Sequence, residues 1–336
     1  MKRKRSGAAG WLVTAIWGLN AVGLVGVLAG ALLFNTPQER VSQPKGLELA
    51  IGATPSPTAR PGIYYLPSVT PNPLTTPIEA YNTPTPFVLP QGPRPIIIGY
   101  SVSGRPLEVY KFRQGERQVM IAAGIHGGYE WNTILLAYEI IDHYTANPQL
   151  IPSNLTVHII PSANPDGQFL ITNQSERFQP SDVVGDTVPG RFNANNVDLN
   201  RNWNCQWQPT AVWRDVTVNG GPRPFSEPES IVLRDFILPK DPAIVVFWHS
   251  AANGVFAAGC PDTHAPSLAL ANVYGQAANY PVYERFTSYE ITGDAGDWLA
   301  TQNIPSISVE LQNHQSLDLS QNLNGVQATL DYLAGP

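Results

Sequence analysis

The stretch Met120–Thr133, MIAAGIHGGYEWNT, decides how the chain is read. An apolar strand from Val119 to Ala123 runs into a turn bracketed by Gly124, Gly127 and Gly128, and a helix starts beyond it. His126 stands where the strand ends and Glu130 where the helix begins. The glycines allow the tight, partly φ > 0 path that brings an imidazole and a carboxylate to one point. A metal ion such as Zn²⁺ accepts both ligand types.

Working outward, apolar strands alternate with helices. Ile96–Tyr100 and Leu107–Phe112 read as a hairpin turning at Ser103–Gly104. Asn132–Tyr144 has helical spacing, with Ile134, Leu135, Tyr138 and Ile141 on one face. Leu155–Ile160 alternates apolar and polar residues, then breaks into the turn signal PSANPDG. A long polar loop is expected over about 168–196, with little periodicity. Ser226-Glu-Pro-Glu229 reads as a capping box opening a helix that runs through Leu238. Ala243–Trp248 and Ser306–Leu311 are strands buried on both faces, and Ala265–Tyr280 and Leu317–Leu333 are helices. This order predicts an α/β fold, a mixed, mostly parallel central sheet with helices on both faces. In such sheets ligands gather where several strands end.

Histidines narrow the chemistry. There are six, and only His126 and His249 stand at the end of an apolar strand. Two His and one carboxylate with an open fourth position make a catalytic zinc set rather than a structural one. Asp198-Leu-Asn200-Arg201-Asn202-Trp203 packs an acid, two amides and a guanidinium into one loop. Arg201 and Asn200 suit a terminal carboxylate, Arg through its bidentate fork. Asp198 suits the spare N–H of a ligand histidine. Glu310 lies inside an apolar strand with no basic neighbour in sequence. A carboxylate there is costly unless paired, protonated or beside a metal, which marks it as a candidate general base.

Composition sets the surroundings. In 336 residues there are 32 prolines and only 14% charged residues. Residues 1–10 carry the basic cluster Lys2-Arg-Lys-Arg5, and 11–34 form an uncharged run long enough to span a bilayer as a helix of roughly 20 residues. The segment is expected to be a signal anchor with its basic tail cytoplasmic; Ala29, Gly30 and Ala31 leave cleavage, and hence secretion, open. Residues 35–93, rich in Pro and Thr, are expected to be a disordered stalk, and 94–336 an extracytoplasmic catalytic domain. From residue 96 on, 12 Lys and Arg stand against 23 Asp and Glu, a net charge of −11 (12 − 23). That balance argues against nucleic acid as a partner. Cys205 and Cys260 fit an oxidising exterior where they could pair.

Together these residues resemble the zinc carboxypeptidase family of the carboxypeptidase A type. The family's ordered motifs appear here as GIHGGYEWNT, Asn164-Pro-Asp-Gly167, DLNRNW, WHS and SVEL, over roughly residues 97–333. The resemblance implies one Zn²⁺ per chain held by His126, Glu130 and His249, with Glu310 as the base. It implies that Asn200 and Arg201 bind the C-terminal carboxylate of a peptide substrate, that Arg191 stabilises the oxyanion, and that Tyr289 closes over the substrate. Three residues separate His126 from Glu130 where the family usually has two; the extra residue is assigned to the glycine turn. The specificity pocket is expected in Glu290–Gly296, where Asp294 either offers a carboxylate to a cationic side chain or caps the helix carrying Trp298. The competing expectation is a catalytically silent, zinc-holding peptide- or wall-binding module on a membrane stalk, which would have lost the base or a ligand.

Overall fold

The computed structural model describes residues 92–335. The basic tail, the apolar span 11–34 and the stalk up to residue 91 lie outside the described residues. Among the described residues no helix is long and apolar enough to cross a membrane.

In chain order the strands are β1 (Ile96–Tyr100), β2 (Pro106–Phe112), β3 (Arg117–Ala122), β4 (Leu155–Ile160), β5 (Thr210–Trp213), β6 (Val216–Asn219), β7 (Ile244–Ser250), β8 (Gly254–Ala257), β9 (Val282–Tyr283) and β10 (Ser306–Leu311). The helices are α1 (Trp131–Ala146), α2 (Pro165–Thr172), α3 (Pro228–Ile237), α4 (Ala265–Ala278), α5 (Ala295–Thr301) and α6 (Leu319–Ala334). One sheet has the order β1-β2-β4-β3-β7-β10-β8-β9, and β5–β6 is a separate hairpin. The four central strands, β4, β3, β7 and β10, are mutually parallel; β1, β2 and β8 join antiparallel at the flanks. The fold is thus mixed α/β around a mostly parallel sheet.

Strand alternation divides the core between the two faces. Val119, Ile121, Ile244, Val246, Ile307 and Val309 pack with Ile134, Tyr274 and Leu330 of α1, α4 and α6. Their sequence neighbours Met120, Ala122, Val245 and Phe247 point the other way, onto Leu233 of α3 and Trp298 and Leu299 of α5. A period of two sends alternate side chains to opposite faces, so apolar residues must be continuous along these strands.

Four local expectations are corrected. The alternation read into Leu155–Ile160 does not describe its exposure: all six residues are buried, because β4 lies between β2 and β3. The turn signal PSANPDG opens helix α2, with the Asn164 side chain accepting from the Gly167 N–H at 2.9 Å and Pro165 at the first helical position. The stretch 168–196 is therefore part helix and part 3-10 turn, at Pro180–Asp182 and Val188–Arg191. Ser226 and Glu229 form no capping box; Glu227 is the N-cap residue. Glu229 instead accepts from the Val102 N–H (3.0 Å) and the Asn193 amide (3.1 Å). Partners from elsewhere in the fold compete for that carboxylate and win.

His158 on β4 is buried, with Nε2 2.9 Å from Gln118 Oε1 and no partner for Nδ1. Burial, aided by Lys240 and Lys111, holds its pKa down to about 4, against an ordinary 6.5. Between those values the unfolded chain binds the proton and the folded one does not. Stability therefore falls as pH is lowered from about 6.5 towards 4, by up to about 3 kcal/mol. Urea midpoints at neutral and acid pH should show that loss in the parent protein and a flatter profile in His158→Gln. An equal loss in both would assign it to another group.

Candidate metal centre and substrate cleft

Because β3, β7 and β10 are parallel neighbours, their C-terminal ends lie side by side. Glu310 pairs in register with His249, and directly paired residues project to the same face. That face already carries Phe247, two residues before His249. Beyond β3 the chain makes a 3-10 turn, Gly127–Glu130, that seats Glu130 over His126. Glu130 Oε1 is 2.8 Å from His126 Nδ1, and its Oε2 is 3.2 Å from His249 Nδ1. The two ligand candidates thus meet across the turn although three residues separate them in sequence. It requires Gly127, where φ is +45° and a Cβ would stand 2.5 Å from the Gly190 carbonyl.

His126, Glu130 and His249 are buried, and one ligand atom of each lies within 4.8 Å of the others. Two imidazoles and a carboxylate are the donor types zinc prefers. The outward nitrogen of His126, Nε2, faces Asp198 Oδ1 at 3.4 Å with no closer partner. A carboxylate on the far side of a ligand imidazole is the usual support of such a ring. The residues fit a zinc ion. Burial alone would raise Glu130, but the two histidines hold it well below the usual carboxylate range. Burial opposes protonation of His249, yet Glu130 overrides it and raises the imidazole.

Asp198 joins two parts of the site. Its Oδ2 receives Arg191 Nε (2.9 Å) and Nη2 (2.8 Å), and its Oδ1 the Asn200 N–H (3.0 Å). Despite burial, Arg191 and His126 keep it ionised, far below the ordinary range. The Arg191 guanidinium stacks 4.4 Å above Trp213. Glu310 is half-buried and accepts the Ala252 N–H at 3.1 Å. Desolvation raises its carboxyl above the ordinary value, with His249 opposing and Glu130 reinforcing the shift.

Arg201 is 2% exposed and donates Nη1 to the Asn200 carbonyl and Nε and Nη2 to the Val212 carbonyl. Of five guanidinium N–H groups, two are left for a ligand. Asn200 has its amide engaged at both ends, donating to Asp294 Oδ2 (2.7 Å) and accepting the Ala295 N–H (3.0 Å). Asp294 Oδ1 accepts the Asp297 N–H at 2.9 Å, so the capping alternative holds for Asp294, and its second oxygen holds Asn200.

These groups line two cavities. One, of about 440 Å³, is walled by Asn200, Arg201, Arg285, Asp294, Asp297 and Ser308. The other, of about 610 Å³, is walled by Tyr129, Trp213, Arg214, Asp215, Ala252 and Ser288. His126, Arg191, Phe286, Tyr289 and Glu310 border both. Burial and then Asp294 push Asp297 up to about 7, although the Gly259 N–H donates to it at 2.9 Å. Cys205 and Cys260 are joined, with Cα atoms 6.1 Å apart, tying the Arg201 loop to the Gly259–Pro261 rim of the smaller cavity. In the chain-entropy account, closing 55 residues contributes about 4 kcal/mol.

The sequence reading gave no role to several residues that build this site, some of them inside the motifs it named. Gly167 and Gly190 meet across α2 and the Arg191 turn, where a Cβ on Gly167 would stand 2.2 Å from the Gly190 carbonyl. The Asn164 amide donates to the Arg191 carbonyl at 3.3 Å. Behind the metal ligands, the Ser250 hydroxyl donates to Asn132 Oδ1 at 3.0 Å, and His314 Nδ1 lies 3.0 Å from the same hydroxyl. Hairpin β5–β6 carried a readable signal, two short β-branched runs around Arg214-Asp215.

A buried His-Glu-His set at the strand ends of a mixed α/β sheet, beside a strand-borne glutamate, defines a metallopeptidase of the zinc carboxypeptidase type. The chain belongs to the zinc carboxypeptidase family, whose sequence profile matches residues 89–324. Murein peptide amidase A of Escherichia coli (strain K12) is 28% identical over 243 residues, 69% of this chain and 87% of the relative. The crystal structure of murein-tripeptide amidase from Escherichia coli O157 superposes with a TM-score of 0.52 at 26% identity, over 72% of this chain and 92% of that one. Carboxypeptidase A from Helicoverpa armigera shares the fold, with a TM-score of 0.57 at 20% identity over 71% and 68% of the two chains. The protein is a peptide hydrolase of this family, and zinc is the family's metal.

Proposed function

We propose that this chain removes the C-terminal residue of peptides, murein peptides included, with His126, Glu130 and His249 holding zinc and Glu310 acting as general base. The observation that carries the reading is the smaller cavity. It opens at Glu310 and the metal set and carries, on Arg201, two unengaged N–H groups beside a wall of acids.

Zinc in such a set supplies Lewis acidity, polarising a carbonyl and acidifying water. The chain's own groups do the rest. Arg201 fixes the terminal carboxylate, and Asn200 positions the wall by holding Asp294. Glu310 accepts a proton from the attacking water and returns it to the departing amine, a role suited to a carboxyl that burial raises above its ordinary value. Arg191, held in place by Asp198, faces the charge that develops on the carbonyl oxygen. Tyr289 borders both cavities and packs against Phe286 at 4.8 Å, where it covers the bound peptide. A silent binding module is disfavoured because the base and all three ligand candidates meet at one centre.

For the leaving residue, the wall favours a side chain with an amino group through the negative charge it carries at Asp294, whose oxygens stay on Asn200 and the Asp297 N–H, and at the neighbouring Asp297. Lys, Arg and the diamino acid of a wall peptide qualify. The purified protein should release C-terminal residues from a peptide set containing these and neutral counterparts, and a chelator should stop it. Release of internal fragments only, or none with zinc restored, would overturn the reading. The N-terminal segment, basic and then uncharged, supports an enzyme held outside the membrane.

A further inference from the structure

The larger cavity has no role in holding the leaving residue, yet it is built with care. Its outer wall is the β5–β6 hairpin, whose turn is Arg214-Asp215. The hairpin is fixed to the site at several points. Trp213 is buried, meets Tyr129 edge-on at 5.1 Å and lies under Arg191. The Asn219 carbonyl accepts the Asp198 N–H at 2.9 Å, and the Val212 carbonyl accepts Arg201. The turn is therefore rigidly registered to the reacting groups, although both its residues are exposed.

Arg214 forms no hydrogen bond or ion pair with any other described residue; its guanidinium lies 5.4 Å from the Trp213 ring. The charged groups of this cavity are Glu130 and Glu310, Arg191 held by Asp198, and the turn residues Arg214 and Asp215. Arg214 is the cation there with no carboxylate engaged on it. In a region of net charge −11, an unpaired arginine aimed into a cleft is the group a carboxylate would meet.

The two cavities share His126, Arg191 and Glu310 of the reaction centre, with Tyr289 and Phe286 over them, which puts the scissile bond at their junction. On the reading that the smaller cavity takes the leaving residue, the larger takes the acyl side. We infer that Arg214 selects substrates whose acyl residue carries a free carboxylate. Two linkages supply that chemistry. In an α-linked glutamyl bond the side-chain carboxylate is three carbons from the scissile carbonyl carbon. In a γ-linked glutamyl bond the main-chain carboxylate is also three carbons away, and only the position of the nitrogen differs. One arginine on a fixed hairpin can read both.

The test compares matched substrates ending in lysine, with zinc-loaded full-length protein. Ala-Glu-Lys is set against Ala-Gln-Lys, and Ala-γ-D-Glu-Lys against the form with its main-chain carboxylate amidated. The expected kcat/KM ratio of acid to amide is about ten- to a hundredfold in at least one pair, the worth of a charge-assisted bond. That ratio should fall to about one in Arg214→Ala and shift towards an acyl lysine over an acyl glutamate in Arg214→Glu. A global loss of packing would lower both members of a pair and leave the ratio alone. The larger ratio identifies the linkage, γ for wall peptides and α for acidic peptides. An acid-to-amide ratio near one in the parent protein, or one unchanged in both variants, would overturn the inference while lysine release leaves the broader reading intact. If no substrate releases lysine, both fall together.

Discussion

Glu310→Gln is expected to lower kcat by about a hundred- to ten-thousandfold, the usual contribution of a positioned acid–base group, while leaving zinc content unchanged. Glutamine keeps the shape and the bond from the Ala252 N–H but cannot take a proton. KM for a C-terminal lysine substrate should stay within a few fold, because Arg201 and the acid wall are untouched. Metal analysis and steady-state kinetics on one preparation decide it. Full turnover in the variant would remove Glu310 from the role of base; loss of metal would make it a ligand.

The second large effect is expected at Glu130. Removing it in Glu130→Ala takes the one charged donor from the set and leaves two buried imidazoles facing each other, their ring centroids 5.0 Å apart. Zinc affinity should fall by more than the roughly 10–100-fold that follows loss of a supporting residue around a metal. Asp198→Ala, which leaves the three donors in place, should fall within that range. Competition with a chromogenic chelator gives both numbers. Retained affinity in Glu130→Ala would require a substitute donor. Asp166 is excluded on geometry, since its oxygens are engaged by Ser101, Ser103 and Arg105.

What could be read from the sequence follows from how local each signal was. The ends of β3, β7 and β10 were legible because apolar runs announce buried strands, and a polar residue that the apolar core cannot explain stands just beyond β3 (His126) and within the last two residues of β7 (His249) and β10 (Glu310). The Cys205–Cys260 bridge was left open, because pairing depends on loops meeting in space. Helix α2 was hidden, since Asn164 and Pro165 are turn residues and helix-starting residues alike. Glu229 gave a false capping signal because sequence does not reveal that Val102 and Asn193 reach it first. Arg191, Tyr289 and Asp294 were placed by resemblance alone. The structure adds why Asp294 cannot act as a free carboxylate: both of its oxygens already hold neighbours.

Asp198 has one charge and two clients. One oxygen faces the His126 ring and the other grips Arg191. Any polarisation of that carboxylate towards the metal side weakens its hold on the arginine, and any anion drawing on Arg191 changes what the imidazole feels. Metal affinity and affinity for an anion at the reaction centre are then not independent constants. By thermodynamic reciprocity each must alter the other by the same factor. An oxyanion-mimicking inhibitor should change the zinc dissociation constant, and zinc should change the inhibitor's constant by an equal ratio beyond any direct contact. Asp198→Asn, which keeps the shape and drops the charge, is the substitution that uncouples them.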